Sequence, residues 1–277
     1  MINDLSIRDI HTESLKLLKE LHKICEKLGI KYFLAYGTLL GAVRHKGFIP
    51  WDDDVDVWMF RDDFNKLVAY FDDFENQEKC KIHTRINTKN YPFGIARFSN
   101  DEFKYIDTQG LNEFQLGVFI DLYPLDNYSN NPKTAKKMMK KIRMQNSLYE
   151  WYINPFSTNF LKRISKKIVS SFFHFRYGEK YAKIVEKKIN KYLNKYSSPN
   201  DAYVGIPSWT FALTPQKFDK TLFNDRVLLE FEDDKFYCPV GYCKILEICY
   251  GNYMQLPKEE DRVQYHNYKI IRRDNSI

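Results

Sequence analysis

Four aspartates fall within five positions, Asp52, Asp53, Asp54 and Asp56, just after a stretch that holds Arg44, His45 and Lys46. On a strand, side chains two residues apart share a face, so Asp52, Asp54 and Asp56 are expected on one side, with Val55 and Val57 facing the core. Two like charges about 4 Å apart at an effective dielectric near 20 repel by about 4 kcal/mol. A solvated strand tolerates that, whereas one bordered by Val55, Val57, Trp58 and Met59 needs something positive beside it. Carboxylate oxygens without paired His and Cys neighbours suit a hard divalent cation, Mg²⁺ or alternatively Mn²⁺, which keeps positions open for phosphate. The bland alternative is an acidic turn with no ligand.

The residues upstream favour the ligand. Gly37 and Thr38 sit where a strand passes into a helix, with Thr38 as the expected N-cap, and a helix N-terminus presents free N–H groups to an anion. Arg44 and Lys46 could hold phosphate oxygens. Together these features imply a phosphate ester or diphosphate bridged by metal. Downstream, "GVFIDLYPLDN" sets Asp121 between Ile120 and Leu122, which is costly unless the carboxylate is paired or ligating. Asp121 could be a third metal ligand or the base that takes a proton from an attacking hydroxyl; a hydrogen-bonded turn aspartate is the alternative. Asp126 is expected in the turn that follows.

The elements that must position these groups are legible as patterns. "ESLKLLKELHKICEKLG" carries Leu17, Leu18, Leu21, Ile24, Cys25 and Leu28 at helical spacing and stops at Gly29. "IKYFLAYG" reads as a buried strand, "TLLGAVRH" as a short helix, and "DDVDVWMF" as a half-buried strand, followed by a helix from about Asp62 to Phe74. Further strands are expected in "KIHTRIN", "PFGIARFS", "FKYIDTQ" and "GVFIDLYPL". A hairpin should turn at Asp233–Asp234, and "GYCKILEICYG" should be a helix closed by Gly251. The order implies an α+β fold with a mixed sheet and flanking helices. We expect one catalytic domain over 1–277, its core in 1–131 and 201–277, elaborated by a basic helical insertion over 132–200.

The chain has 277 residues, a net charge of +7 and 16% aromatic residues, enough for a real core. From Lys133 to Lys195 there are 17 Lys and Arg against three acids, a surplus of 14, so the rest of the chain is acidic. No run of eighteen apolar residues occurs, which argues against a membrane span, and "MINDLSIRDI" lacks a secretory pattern. Five cysteines at irregular spacing read as reduced cytosolic thiols. A cytoplasmic protein is expected. Within the basic segment, "FLKRISKKIVSSFFHF" aligns Leu161, Ile164, Ile168 and Phe172 on one stripe, with Lys162, Arg163, Lys166 and Lys167 mostly elsewhere. That is the pattern of a peripheral helix on a membrane's inner face, or of an ordinary helix packed on the core with a solvated lysine face.

The stretches "GTLLGAVRHKGFIPWDDDVDV", "YPFGIARF", "GVFIDLYPLD" and "YGNYMQLPKEEDR" resemble the LicD-type phosphocholine transferase family, related to the nucleotidyltransferase fold. They run from about Tyr32 to His266, although the basic segment has no matching motif. The resemblance implies a short Gly-Thr helix at Gly37 and Thr38, a metal-holding Asp-x-Asp strand at Asp54 and Asp56 with Asp52 assisting, and a third carboxylate at Asp121. Arg97 stands where family members often have lysine, which keeps a charge that could contact phosphate while altering its donor geometry. The implied activity is transfer of phosphocholine from CDP-choline to a hydroxyl of a cell-surface glycan, such as teichoic acid or lipooligosaccharide, with Mg²⁺. A lipid-linked acceptor would suit a membrane-surface helix.

Choline's quaternary ammonium is recognised by aromatic faces and carboxylates, and Trp51, Trp58, Tyr123, Tyr250 and Tyr253 lie near the motifs. Two other readings remain. One is transfer of glycerol phosphate or ribitol phosphate from a CDP carrier. The other is a nucleic-acid-binding protein using the basic segment, which has no recognised nucleic-acid motif and leaves the acidic site unexplained.

Overall fold

The opening helix begins earlier than its apolar stripe suggests. Ser6 accepts from the backbone N–H of Asp9 while the Asp9 carboxylate accepts from the Ser6 N–H, a capping box that starts the helix at Ile7, and Gly29 closes it at φ 62°. The structure is a computed structural model that describes residues 4–73, 79–107, 116–209, 216–264 and 268–273. In chain order its elements are α1 (Ile7–Leu28), β1 (Phe33–Leu34), α2 (Tyr36–Arg44), β2 (Asp56–Phe60), α3 (Arg61–Asp73), β3 (Cys80–His83), β4 (Ala96–Asn100), β5 (Phe103–Asp107) and β6 (Val118–Tyr128). There follow α4 (Pro132–Ile153), α5 (Phe160–Tyr177), α6 (Tyr181–Tyr196), β7 (Tyr203–Gly205), β8 (Lys217–Asp219), β9 (Arg226–Phe231), β10 (Asp234–Pro239), α7 (Tyr242–Tyr250) and β11 (Tyr268–Arg272). The fold is α+β.

Two compact units emerge, one made of residues 1–83, 96–125 and 218–277, the other of 84–95 and 126–217. The second therefore holds the expected basic helices and also takes in the segments on either side of them.

In the first unit the sheet runs β1-β2-β6-β4-β3. Its central pair, β2 and β6, is parallel, with Asp56 in register with Asp121, while β4 lies antiparallel on the other side of β6 and sets Arg97 against Asp121. Both faces of β2 are covered, so its sequence reads as nearly continuous apolar residues once past Asp56. Trp58 is fully buried, with the rings of Phe218 and Phe223 at 5.4 Å and 5.8 Å. The β9–β10 hairpin and the β5–β11 pair complete the unit.

The second unit packs α4, α5 and α6 around Met138, Ile142, Tyr149, Tyr181, Val185 and Ile189. The end of β6 pairs with β7 here, Asp126 opposite Gly205. Asp126 thus belongs to the strand rather than to a turn, because a partner strand carries the ladder onward. Arg85 is buried and held by Asn146 at 2.8 Å, by the carbonyl of Pro92 at 2.9 Å and by Glu186 at 3.2 Å.

Several boundaries differ from expectation for local reasons. Tyr36 adopts φ 40°, turning the chain from β1 straight into α2, so the N-cap is Ala35 and Thr38 lies inside the first turn. Residues 52–55 are not strand, β2 starts at Asp56, and it is not half-buried, since β1 and β6 flank it and both faces are covered. The β9–β10 hairpin turns one residue earlier, at Glu232–Asp233, with Glu232 at φ 57°. Its N–H donates to the carbonyl of Lys46 and its carboxylate accepts from the N–H of Phe48, which fixes that register. Phe74, the last two residues of "FKYIDTQ" and His266 lie outside the described residues. No disulfide joins any of the five cysteines.

Candidate active site

Every strand side chain in this sheet is placed by its register, and register brings the carboxylates together. Asp56 opens β2 and Asp121 lies directly opposite on β6. Asp54, Asp56 and Asp121 each present an oxygen within 4.8 Å of the other two. Asp52, Asp53 and Asp54 form a second such group along the loop.

The backbone around these groups is tightly held. Asp56 donates its N–H to the Thr38 hydroxyl at 2.8 Å, and Asp121 donates its own to the Val55 carbonyl at 2.8 Å. His11 Nε2 donates to the Asp52 carbonyl at 2.6 Å, and the Tyr268 hydroxyl donates to the Asp53 carbonyl at 2.9 Å. The loop is therefore pinned from α1 and from β11 as well as from α2. Gly37 leaves room for the Asp52 carboxylate, which a Cβ at this position would push aside.

Charge is less evenly met. Arg97 donates through Nε to Asp121 Oδ1 at 2.6 Å and through Nη2 to Oδ2 at 3.4 Å, both residues being buried. Its guanidinium also lies 4.0 Å from the centre of the Phe119 ring. Arg97 is thus committed to Asp121, one of the three clustered carboxylates. Burial, followed by the charges of Asp54, Asp121 and Asp52, pushes the Asp56 carboxyl well above its usual range, against a hydrogen bond from Tyr123. Asp56 Oδ1 is buried and has no hydrogen-bond partner among the described residues. A buried carboxylate oxygen left in that state destabilises the fold unless a ligand completes it. Hard oxygen donors at this spacing fit a divalent cation such as Mg²⁺.

The carboxylates open onto a cleft of about 770 Å³. One wall is α2, through Tyr36, Gly37, Leu40 and Arg44; the floor is Trp51, Asp52, Asp54 and Asp56; the other wall is the loop after α7, including Tyr250, Tyr253 and Lys258. Arg44 Nη1 donates to the carbonyls of Tyr253 at 2.9 Å and Gln255 at 3.3 Å, so it ties the two walls together.

The expected site residues separate accordingly. Gly37, Arg44, Asp52, Asp54 and Asp56 line the cleft, and Asp121 closes the carboxylate cluster behind them. Thr38 acts on the Asp56 backbone rather than as a cap. Arg97 faces Asp121, where the β4–β6 register puts it. Lys46 is exposed, at φ 61°, and does not line the cleft. Of the aromatic candidates, Trp51, Tyr250 and Tyr253 line the cleft, whereas Trp58 and Tyr123 are buried in the sheet.

Sequence reasoning passed over Lys258, Tyr36 and Asp53. Lys258 lies within a quoted motif and is a lysine on the cleft wall. The Tyr36 ring meets those of Trp58 at 4.8 Å and Tyr123 at 5.3 Å. Asp53 is buried, and Gln264 Nε2 donates to it at 2.5 Å. Tyr123 had a signal, for it sits two residues from Asp121 and so on the same strand face.

Residues 29–165 match the family model described as LicD/FKTN/FKRP, nucleotidyltransferase domain. The chain is similar over 276 residues, at 30% identity, to the lipopolysaccharide cholinephosphotransferase LicD of Haemophilus influenzae, a match covering 95% of this chain and 96% of that protein. It therefore belongs to the LicD family. A shorter stretch of 40 residues, 14% of this chain and 8% of the other, is 48% identical to the ribitol 5-phosphate transferase FKRP of Homo sapiens. An uncharacterized Rickettsia prowazekii protein is 45% identical over 119 residues, 41% of this chain and 45% of its own.

Proposed function

We propose that this protein transfers phosphocholine from CDP-choline to a hydroxyl of a cell-surface glycan. The observation that carries the reading is the cluster of Asp54, Asp56 and Asp121 at the foot of the cleft, with a buried Asp56 oxygen lacking a partner. Asp54 and Asp56, with Asp52 beside them, would hold Mg²⁺ or Mn²⁺, which when bound would neutralise charge on the diphosphate and on the departing CMP.

The chain's own groups supply the rest. Thr38 and the register of β2 against β6 fix Asp56 and Asp121 before any ligand arrives, so little reorganisation is needed at the reacting centre. Arg97 pairs with both oxygens of the Asp121 carboxylate and so fixes its orientation. Asp121 positions that hydroxyl and takes its proton as the acceptor oxygen bonds to the phosphorus carrying choline and the bond to the CMP oxygen breaks. Lys258 and Arg44 stand on the cleft walls as cations for the phosphates. Trp51, Tyr250 and Tyr253 offer aromatic faces to a trimethylammonium group.

Support comes from the full-length similarity to a cholinephosphotransferase together with this geometry. The similarity to a ribitol 5-phosphate transferase favours a second reading, transfer of a polyol phosphate from its CDP carrier. The test is CMP release by purified protein with Mg²⁺, candidate glycans, and CDP-choline, CDP-glycerol or CDP-ribitol as donor. Preference for CDP-choline, lost in Asp54→Asn and Asp56→Asn, supports the proposal; preference for a polyol donor replaces it, and near-normal turnover in both variants removes the metal-holding role.

A further inference from the structure

Helix α5 is apolar on two sides: Phe173 and Tyr177 pack inward on the Tyr181 ring, and a second apolar stripe lies in solvent. Its residues Lys166 and Ser170 are buried, with Lys166 Nζ 3.3 Å from Glu150 and the Ser170 hydroxyl donating to the Tyr152 carbonyl at 3.0 Å. His174 Nε2 reaches the same carbonyl at 3.2 Å. On the opposite side four large apolar residues face outward, Leu161 at 74% exposure, Ile168 at 65%, Phe172 at 57% and Phe175 at 91%. At 3.6 residues per turn, these four with Phe160 and Ile164 cover one arc of roughly 120°, nearly opposite the buried face. An ordinary core-packed helix, the alternative the sequence allowed, would turn this stripe inward.

The cations are arranged with equal order. Arg176 borders one side of the apolar arc and Lys167 the other, with Arg163 a step beyond Lys167 and Lys162 a step beyond Arg176, and no acidic residue occurs between Glu150 and Glu179. We propose that this face of α5 seats in the surface of an anionic lipid bilayer, its phenyl and alkyl groups among the upper acyl chains and its flanking cations at the headgroups. Long cationic side chains reach outward in just this way while their stems stay apolar. No described helix is long and apolar enough to cross a membrane, so α5 lies along the surface. A second copy of the chain is a poor occupant, because a self-complementary contact through this face would set its cations against their own kind with no acid between them. The inference rests on α5 alone and is independent of the chemistry assigned to the cleft.

Flotation of the purified protein with vesicles of phosphatidylcholine plus phosphatidylglycerol, against phosphatidylcholine alone, tests it. Binding to the anionic vesicles that weakens with salt is expected, falling by roughly fivefold for each of Arg176→Ala and Lys167→Ala. The triple variant Ile168→Ser, Phe172→Ser, Phe175→Ser should lose binding while keeping its circular dichroism spectrum and its thermal midpoint, since these side chains are already in water. No binding, or binding unchanged in the triple variant, overturns the proposal. So does a dimer in size-exclusion chromatography that the triple variant converts to monomer, which would show a second copy on this face.

Discussion

The two units handle buried charge in opposite ways. In the helical unit Arg85 is buried against Glu186, Asn146 and a backbone carbonyl, and Lys166 against Glu150, so each buried cation has an acid of its own. In the sheet unit Asp54, Asp56 and Asp121 converge, Arg97 is paired with Asp121, and Asp56 Oδ1 is buried with no hydrogen-bond partner among the described residues. A buried charge matched within the chain is part of the architecture. A buried carboxylate oxygen without a partner is a feature that the fold itself does not require.

The largest way to sharpen this contrast is Asp56→Asn. Turnover measured as CMP release should fall by about a thousandfold, while the chelated protein becomes more stable by about 1 kcal/mol as a repelled charge is removed. The sign follows from the raised pKa of Asp56. Its protonated form is favoured in the folded state, so the contribution is full below the unfolded value near 3.8 and is lost as pH rises through the higher folded value. With chelator present, the gap in thermal midpoint between Asp56→Asn and the parent should therefore widen with pH over that window. An unchanged gap would break the comparison.

Arg97→Ala should come next, destabilising by about 3–5 kcal/mol in urea unfolding because it leaves Asp121 buried without its cation. Arg97→Lys should recover part of that, with one donor direction in place of a fork. Arg85→Ala should cost about 2–3 kcal/mol while leaving the KM for the donor unchanged. Gly37→Ala gains helix propensity but displaces Asp52, so we expect roughly a tenfold weaker Mg²⁺ dependence with stability within about 1 kcal/mol of the parent. Smallest is Tyr253→Leu, which should raise the KM for CDP-choline several-fold and spare that for a CDP-polyol.

What could be read from the sequence were the expensive features. Asp121 between Ile120 and Leu122 announced a partner, and it has one in Arg97. Gly29 and Gly251 marked helix ends, at φ 62° and 65°. What could not be read was direction. Arg44 and Lys46 are two residues apart, yet Arg44 lines the cleft and Lys46, at φ 61°, does not. Thr38 looked like a cap because the positive φ of Tyr36, which moves the helix start, has no signature in a tyrosine. The role of Arg97 depended on the register of β4 against β6, a long-range choice that local pattern does not contain. The stripe on α5 was visible, but whether it faced inward rested on Lys166 and Ser170 finding partners on α4.

The ties among Arg44, Asp53 and the later chain set a timetable. Arg44 waits for the carbonyl of Tyr253, and Asp53 for Gln264 and Tyr268, partners 209, 211 and 215 residues further on. At roughly 5–20 residues per second, a ribosome needs on the order of 10–40 s to deliver them. Throughout that interval the aspartate loop has emerged but lacks its clasp, so its final geometry is set only when the last stretch of chain has left the exit tunnel.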